Sequence, residues 1–228
     1  MLPILAPLLR PPGAFAGAWR ALYEGIYIVL ESGVRLLFRP LFRVRRVGPA
    51  PRLPTGGVLL CPNHASYLDP ALVQMVIRRR LTFVMTNEFY GWWAGNWFFR
   101  LVGALPIGRG RVAHASVRRA IGLLRTGAAV VVFPEGRLST DGTPHRAQRG
   151  VARLAREGRA DVVPVAIDGS FRAWPRGATW LRRSDVRIAF GAPIAWEGVP
   201  GRDPDQAFAD RILAAVAALR ARLPAPRP

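Results

Sequence analysis

The chain has 228 residues, of which 50% are hydrophobic. This size and composition fit one globular core and exclude a disordered chain. The formal charge of +19 comes from arginine alone, because all 33 basic residues are arginine. Such a charge attracts polyanions, which include nucleic acid, anionic lipid headgroups and phosphate-bearing substrates. The arginines are spread along the whole chain and do not cluster on one recognition element, so we expect no nucleic-acid partner.

Cysteine and histidine usage argues against a disulfide and against a metal site. Cys61 is the single cysteine, which excludes an intramolecular disulfide and fits a reducing compartment. The three histidines, His64, His114 and His145, do not have the spacing of zinc ligands. We therefore expect no metal and no other resident cofactor.

The first 48 residues predict an N-terminal helical segment that associates with a membrane. Residues 1–10 have no basic stretch before their apolar residues and contain prolines, so we expect no cleaved signal peptide. Within 14–38, Glu24, Glu31 and Arg35 fall on one stripe of a helix and leave a broad apolar face. Three charges favour a helix that lies in the interface or dips into one leaflet over one that spans the bilayer.

A cluster of arginines follows this helix and would attract an anionic lipid surface. The cluster consists of Arg39, Arg43, Arg45 and Arg46. The alternative is that the apolar face of the helix packs against the protein's own core, as most amphipathic helices do. We favour membrane contact because aromatic residues, which concentrate at membrane interfaces, are frequent in this segment.

From residue 49 to 228, strand and helix patterns alternate, which predicts an α/β domain. The strand patterns cover residues 58–61, 81–85, 104–107, 129–133, 161–167 and 186–190. The helical patterns cover residues 70–79, 88–102, 112–125, 150–156 and 205–223. Strands joined through helices favour a mainly parallel mixed sheet that is covered by helices on both faces.

A histidine and an aspartate follow the first buried strand of this domain. His64 and Asp69 are separated by four residues, and a tight turn between them would let the carboxylate orient one ring nitrogen and leave the other as a base. In that arrangement the hydroxyl of the substrate takes the place of a catalytic serine. A structural use is also open, because Asp69 followed by Pro70 is typical of a helix N-cap with proline at the first helical position.

Polar residues also follow two other strands. A glycine that permits close backbone approach and two charged side chains come directly after the valine-rich strand, in the run Phe133, Pro134, Glu135, Gly136 and Arg137. Arg109 ends the short apolar stretch 103–109 and suits bidentate contact with a phosphate. Strand ends of a parallel sheet meet at one edge, so the sequence predicts one site for an anion and a hydroxyl.

In residues 57–167 the sequence resembles the glycerolipid acyltransferases of the lysophosphatidic acid acyltransferase type. Four motifs of that family occur in the right order. They are Asn-His-x4-Asp at 63–69, a glycine and apolar stretch that ends in arginine at 103–109, Phe-Pro-Glu-Gly at 133–136, and Val-Pro-Val-Ala at 163–166.

The resemblance implies an O-acyltransferase that moves a fatty acyl group from acyl-CoA or acyl-ACP to the free hydroxyl of a lysophospholipid, most directly 1-acyl-glycerol-3-phosphate, giving phosphatidic acid. It implies that His64 is the general base, that Asp69 orients it, and that no covalent acyl-enzyme forms. It also implies a set of substrate-binding residues. They are Asn63, Arg109, Phe133, Pro134, Glu135, Gly136 and Arg137.

One departure from the family pattern keeps the acceptor headgroup open. The third motif of the family continues Thr-Arg-Ser, whereas this chain reads Arg137-Leu138-Ser139 and thus places the arginine one position earlier. Arg146 and Arg149 are either further phosphate contacts or part of a solvated face. The same chemistry on a lyso-aminolipid or lysophosphatidylethanolamine is one alternative, and a non-catalytic basic protein that binds membrane or nucleic acid is another.

The expected partners follow from this interpretation. They are a lipid membrane surface, an acyl-CoA or acyl carrier protein donor, and a lysophospholipid acceptor, with no nucleic acid. We expect a monotopic or peripheral protein at the cytoplasmic face of the membrane.

Overall fold

The computed structural model describes residues 16–49, 53–86, 103–107, 111–197 and 202–224. The strands in these ranges are β1 (Phe42–Val47), β2 (Val58–Pro62), β3 (Leu81–Thr86), β4 (Leu105–Ile107), β5 (Ala129–Val131), β6 (Asp161–Asp168) and β7 (Ser184–Phe190). The helices are α1 (Ala16–Phe38), α2 (Asp69–Val76), α3 (Arg111–Arg125), α4 (Gly150–Gly158), α5 (Ser170–Ala173) and α6 (Pro204–Ala221).

The strands form one seven-stranded sheet in the order β1-β7-β6-β2-β5-β3-β4. Neighbouring strands are parallel except β6 and β7, which are antiparallel. Every residue of β2 is buried, as expected for a central parallel strand that is covered on both faces. The prediction of a mainly parallel mixed sheet is confirmed.

Alternate residues of the central strands point into two separate hydrophobic cores. Leu59 of β2 lies in the core beneath α3, α4 and α6. Its neighbour Leu60 lies in the core beneath α2 and α5. Side chains along a strand alternate between the two faces of a sheet, so each central strand contributes to both cores. Helices therefore cover both faces, as predicted.

The sequence did not identify β1, which it grouped with the N-terminal helical segment. Phe42 is buried, whereas the arginines of β1 are exposed, and this strand pairs in parallel with β7 at the edge of the sheet. An edge strand with one solvated side needs few apolar residues, so its apolar pattern is weak. The helix predicted over 88–102 lies outside the described residues.

Helix α1 carries exposed apolar side chains, among them Leu22, Ile26, Ile28, Val29, Leu36 and Leu37. The last turn of α1 packs on the sheet through Phe38, whose ring meets Phe42 edge-on with 5.5 Å between ring centroids. Among the helices of the described ranges, none has the length and apolar character needed to cross a bilayer.

Strands β2 and β5 are neighbours in the sheet, and the connections that follow them run in opposite directions, from β2 to β3 and from β5 to β6. The segment after β2 leads into α2 on one face, whereas the segment after β5 leads into α4 on the other face. In open α/β sheets a crevice forms at the carboxyl ends of two such strands, and ligands bind there. The motif residues after β2 and those after β5 flank this crevice.

Candidate active site

His64 and Asp69 contact each other directly. The Nδ1 atom of His64 lies 3.0 Å from Oδ2 of Asp69. The Asp69 side chain is fully buried, and the His64 side chain is 16% exposed. When the Nδ1–H group donates a hydrogen bond to the carboxylate, Nε2 is the nitrogen that can accept a proton from a ligand. The pair has the geometry of a base and the group that orients it.

The Asp69 carboxylate organises the loop that carries His64. Besides the imidazole, Oδ2 accepts hydrogen bonds from the backbone N–H groups of Ala65 and Ser66, both at 2.8 Å. Asp69 is the first residue of α2, yet these bonds run back to the loop and not forward into the helix. The carboxylate therefore supports the loop, while Pro70 occupies the first turn of α2, where a missing N–H costs nothing.

The ring of Phe133 holds the imidazole of His64 from one face. The two rings stack with centroids 3.8 Å apart and planes 18° apart. Phe133 follows β5 and is itself nearly buried, so its position is set by the sheet. The stack and the Asp69 bond together restrict rotation of the imidazole, which keeps Nε2 pointing in one direction.

Glu135 joins the loop after β2 to the loop that leads to α4. Its Oε1 accepts from the backbone N–H of His64 at 3.0 Å, and its Oε2 accepts from the backbone N–H of His145 at 2.8 Å. Burial raises the pKa of the Glu135 carboxyl, although the two N–H groups oppose this shift. Both oxygens contact backbone, so the structure gives Glu135 a positioning role, and its contact with an acceptor stays a prediction.

Asn63 links the carboxyl end of β2 to that of β6. Its Nδ2 donates to the carbonyl of Ile167 at 3.0 Å, and its Oδ1 accepts from the N–H of Ile167 at 2.7 Å. The side chain is buried. Both polar atoms of the amide are thus bonded to the neighbouring strand, and a contact between Asn63 and a substrate stays a prediction.

Gly136 closes a tight turn after Glu135. Its φ is +68°, which favours glycine, and its N–H donates to the carbonyl of Phe133 at 3.0 Å. A Cβ atom at Gly136 would lie 3.1 Å from Cγ of Gln148. The carbonyl of buried Pro134 accepts from the N–H of Gln148 at 2.7 Å. These contacts fix the turn that presents Phe133 and Glu135.

Three arginines of the loop that joins β5 to α4 are exposed, namely Arg137, Arg146 and Arg149. Arg137 reaches His145, with 3.2 Å between Nη2 of the arginine and Nδ1 of the imidazole. This contact places the Arg137 guanidinium beside the segment that Glu135 holds. Arg109 lies outside the described residues.

Two sets of hydrogen bonds that hold the His64 loop could not be predicted from the sequence. The N–H of Ser139 donates to the carbonyl of His64 at 2.9 Å. On the other side, the carbonyl of Trp174 accepts from Oγ of Ser66 at 2.9 Å and from the N–H of Tyr67 at 3.3 Å. Both partners lie far from the loop in the sequence, so only the folded chain brings them together.

Cys61 is a buried residue of β2. Burial raises the pKa of the Cys61 thiol far above its usual range, so this cysteine is a packed core residue and a poor nucleophile.

Within the part of the chain that the structure describes, no three His, Cys, Asp or Glu side chains are grouped as metal ligands. The expectation of a reaction without a resident cofactor stays a prediction.

Residues 43–168 match the family model described as Acyltransferase. This range begins in β1, ends with β6 and includes both site loops. The chain is similar to the 1-acyl-sn-glycerol-3-phosphate acyltransferase of Bacillus subtilis, with 25% identity over 142 residues that cover 61% of this chain and 67% of that protein. It is also similar to the chloroplastic 1-acyl-sn-glycerol-3-phosphate acyltransferase BAT2 of Brassica napus, with 27% identity over 135 residues that cover 58% of this chain and 39% of that protein.

The chain thus spans about two thirds of the bacterial relative and well under half of the plant relative. Its fold is similar to the crystal structure of the 1-acyl-sn-glycerophosphate (LPA) acyltransferase PlsC from Thermotoga maritima. The TM-score is 0.73 at 21% identity, over 96% of this chain and 87% of that chain.

Replacement of Asn63 by alanine tests its positioning role. Asn63→Ala leaves the buried N–H and carbonyl of Ile167 without their side-chain partners. We expect the free energy of unfolding to fall by about 2–4 kcal/mol, since each buried group left unpaired costs on the order of 1–3 kcal/mol. Urea unfolding measures this change. A variant as stable as the wild type would mean that the two hydrogen bonds between Asn63 and Ile167 do not stabilise the fold.

The raised pKa of Glu135 predicts a dependence of stability on pH. The pKa of the Glu135 carboxyl is higher in the folded state than its usual 4.5. The folded protein therefore loses stability as the pH rises from 4.5 towards the folded-state pKa, because the unfolded chain gives up this proton first. The Glu135→Gln variant lacks this titration. We therefore expect the stability of the wild type relative to Glu135→Gln to decrease with rising pH above 4.5, as measured by urea unfolding at a series of pH values. An increase over that window would mean that the two N–H groups outweigh burial.

Proposed function

The chain belongs to the acyltransferase family, and on this premise we propose that it moves a fatty acyl group from an acyl thioester to the free hydroxyl of a lysophospholipid. The acceptor that we favour is 1-acyl-sn-glycerol 3-phosphate, and the product is then phosphatidic acid. The contact between His64 and buried Asp69 is the observation that carries this proposal. The names of the two relatives support the choice of acceptor.

In the proposed reaction, Nε2 of His64 takes the proton of the acceptor hydroxyl as its oxygen attacks the thioester carbonyl carbon. A tetrahedral intermediate forms, and its collapse breaks the carbon–sulfur bond. The imidazolium then returns the proton to the leaving thiolate. The ester is formed directly, so no covalent acyl-enzyme is needed.

Asp69 supports both states of the imidazole. In the resting state its carboxylate holds the tautomer that carries the proton on Nδ1, which leaves Nε2 as the acceptor. During transfer the same negative charge stabilises the imidazolium. The carboxylate is already held by two backbone N–H groups, so it need not reorganise when the charge on the ring develops.

The proposed site for the acceptor phosphate is the exposed basic rim formed by Arg137, Arg146 and Arg149. Guanidinium groups bind phosphate oxygens through charge-assisted hydrogen bonds. Arg137 stands one position earlier than in the motif of the family, which keeps a lyso-aminolipid or lysophosphatidylethanolamine as an alternative acceptor. The donor carrier is acyl-CoA or acyl-ACP, since a chain with a formal charge of +19 suits either acidic carrier.

We also propose that the protein is peripheral or monotopic at the cytoplasmic face of a membrane. The exposed apolar residues of α1, such as Val29 and Leu36, support this location because they lack burial within the described chain. A non-catalytic basic binding protein is the rival function. Charge alone would not require a buried carboxylate against a partly exposed histidine, and this pair favours the enzyme.

Replacement of the proposed base tests this function. Thiol release from palmitoyl-CoA is measured in detergent micelles, with and without lysophosphatidic acid. We expect release from the wild type to depend on the acceptor, and His64→Ala to lower the acceptor-dependent rate by about 10³-fold, within the range for loss of general-base catalysis. The matched control is His114→Ala, because His114 is an exposed histidine of α3 that is not among the proposed site residues, and its rate should equal that of the wild type.

Two outcomes would contradict the proposal in different ways. Retention of wild-type activity by His64→Ala would exclude His64 as the base. No release from the wild type with either palmitoyl-CoA or palmitoyl-ACP would exclude lysophosphatidic acid as the acceptor. A panel of lyso-lipids would then separate another acceptor from the non-catalytic rival.

A further inference from the structure

The loop that connects α5 to β7, residues 174–183, carries apolar and basic side chains on its surface. We refer to it as the Trp180 loop. Trp180 is 81% exposed and Leu181 is 40% exposed. Exposed arginines flank them on both sides, and no acidic residue occurs between positions 169 and 184. These arginines are Arg172, Arg176, Arg182 and Arg183.

This composition suits the surface of an anionic bilayer. Tryptophan concentrates at the level of the lipid headgroups, where its ring is partly apolar and its N–H meets polar groups. Arginine beside such a surface is attracted to lipid phosphates. Insertion among the headgroups would remove the apolar surface of Trp180 and Leu181 from water, which is favourable.

The sheet topology places the Trp180 loop at the edge that carries His64. Strands β2 and β6 are parallel and end at this edge. Because β7 is antiparallel to β6, it begins at the same edge, with Arg187 opposite Asp168. The loop that enters β7 therefore lies on the side of the sheet where the proposed acceptor must arrive.

Direct contacts attach the loop to the His64 loop. The carbonyl of Trp174 accepts from Ser66 and Tyr67, and the rings of Tyr67 and Trp174 meet edge-on with centroids 5.4 Å apart. Within the Trp180 loop, Nε1 of Trp174 donates to the carbonyl of Ala178 at 2.8 Å. The base of the loop is thus fixed to residues that follow His64 directly.

The loop also adjoins the end of α1. Strands β1 and β7 are parallel, with Phe42 opposite Ser184, and the N–H of Ser184 donates to the carbonyl of Leu41 at 3.3 Å. Exposed Leu36 and Leu37 belong to the last turn of α1, a few residues before this contact. Two exposed apolar elements therefore approach the same edge of the sheet.

We propose that the Trp180 loop is a membrane-docking element that inserts Trp180 and Leu181 among the headgroups of an anionic bilayer. Its arginines contact the lipid phosphates. The inference rests on the proposed function in one respect, since an acceptor drawn from the membrane gives docking beside His64 its purpose. Docking at this edge would hold the crevice between β2 and β5 against the bilayer, where a lysophospholipid is dissolved.

Vesicle flotation of the full chain tests the proposal. We expect Trp180→Ala/Leu181→Ser to lower the partition coefficient about tenfold on phosphatidylcholine vesicles, with or without phosphatidylglycerol, because it removes apolar insertion. We expect Arg182→Gln/Arg183→Gln to lower it about tenfold only on vesicles that contain phosphatidylglycerol.

The matched control is Arg78→Gln/Arg159→Gln, which removes the same charge from the segments that enter β3 and β6 at the opposite edge. Its partition coefficient should stay within about twofold of the wild type, since charges beyond a Debye length are screened. Equal effects of the two arginine pairs would overturn the proposal, as would wild-type partition of Trp180→Ala/Leu181→Ser. Thiol release in detergent micelles reports the acyl-transfer reaction separately, and we expect both loop variants to retain it.

Discussion

The carboxylate of Asp69 has no exposed surface, and its Oδ2 accepts hydrogen bonds from two backbone N–H groups and from the imidazole of His64. These three donors offset part of the cost of burying a carboxylate, which is several kcal/mol. The observed shape of the loop from 63 to 69 brings these three donors to Oδ2. The orientation of the proposed base is a consequence of that shape.

Two further buried polar side chains extend this constraint to neighbouring strands. Glu135 bonds the backbone of His64 to that of His145, and Asn63 bonds the end of β2 to Ile167 of β6. The ends of β2, β5 and β6 are adjacent in the sheet, so short side chains can join them. This arrangement holds the imidazole rigidly while leaving part of it exposed to a ligand, which suits a proton transfer between enzyme and acceptor.

The sequence predicted the parts of this site whose partners are close in the chain. His64 and Asp69 are five positions apart and follow a wholly apolar strand, so both their contact and their place at a strand end could be inferred. The partner of Asn63 could not, because it depends on β6 lying beside β2, and strand order is not encoded in local patterns. For the same reason Trp174 gave no sign of its contact with the His64 loop. Strand β1 was missed because its arginines hide the apolar alternation of an edge strand.

The buried Asp69 carboxylate is proposed to act through His64, by orienting its imidazole and by stabilising the imidazolium, and the kcat of Asp69→Asn measures the second of these effects. The amide oxygen of asparagine can still accept from Ala65 and Ser66, but it lacks the charge that stabilises the imidazolium. For acyl transfer to lysophosphatidic acid in micelles, we expect a decrease in kcat of about 10³-fold with little change in KM. A variant that is folded and retains the kcat of the wild type would contradict this role of Asp69.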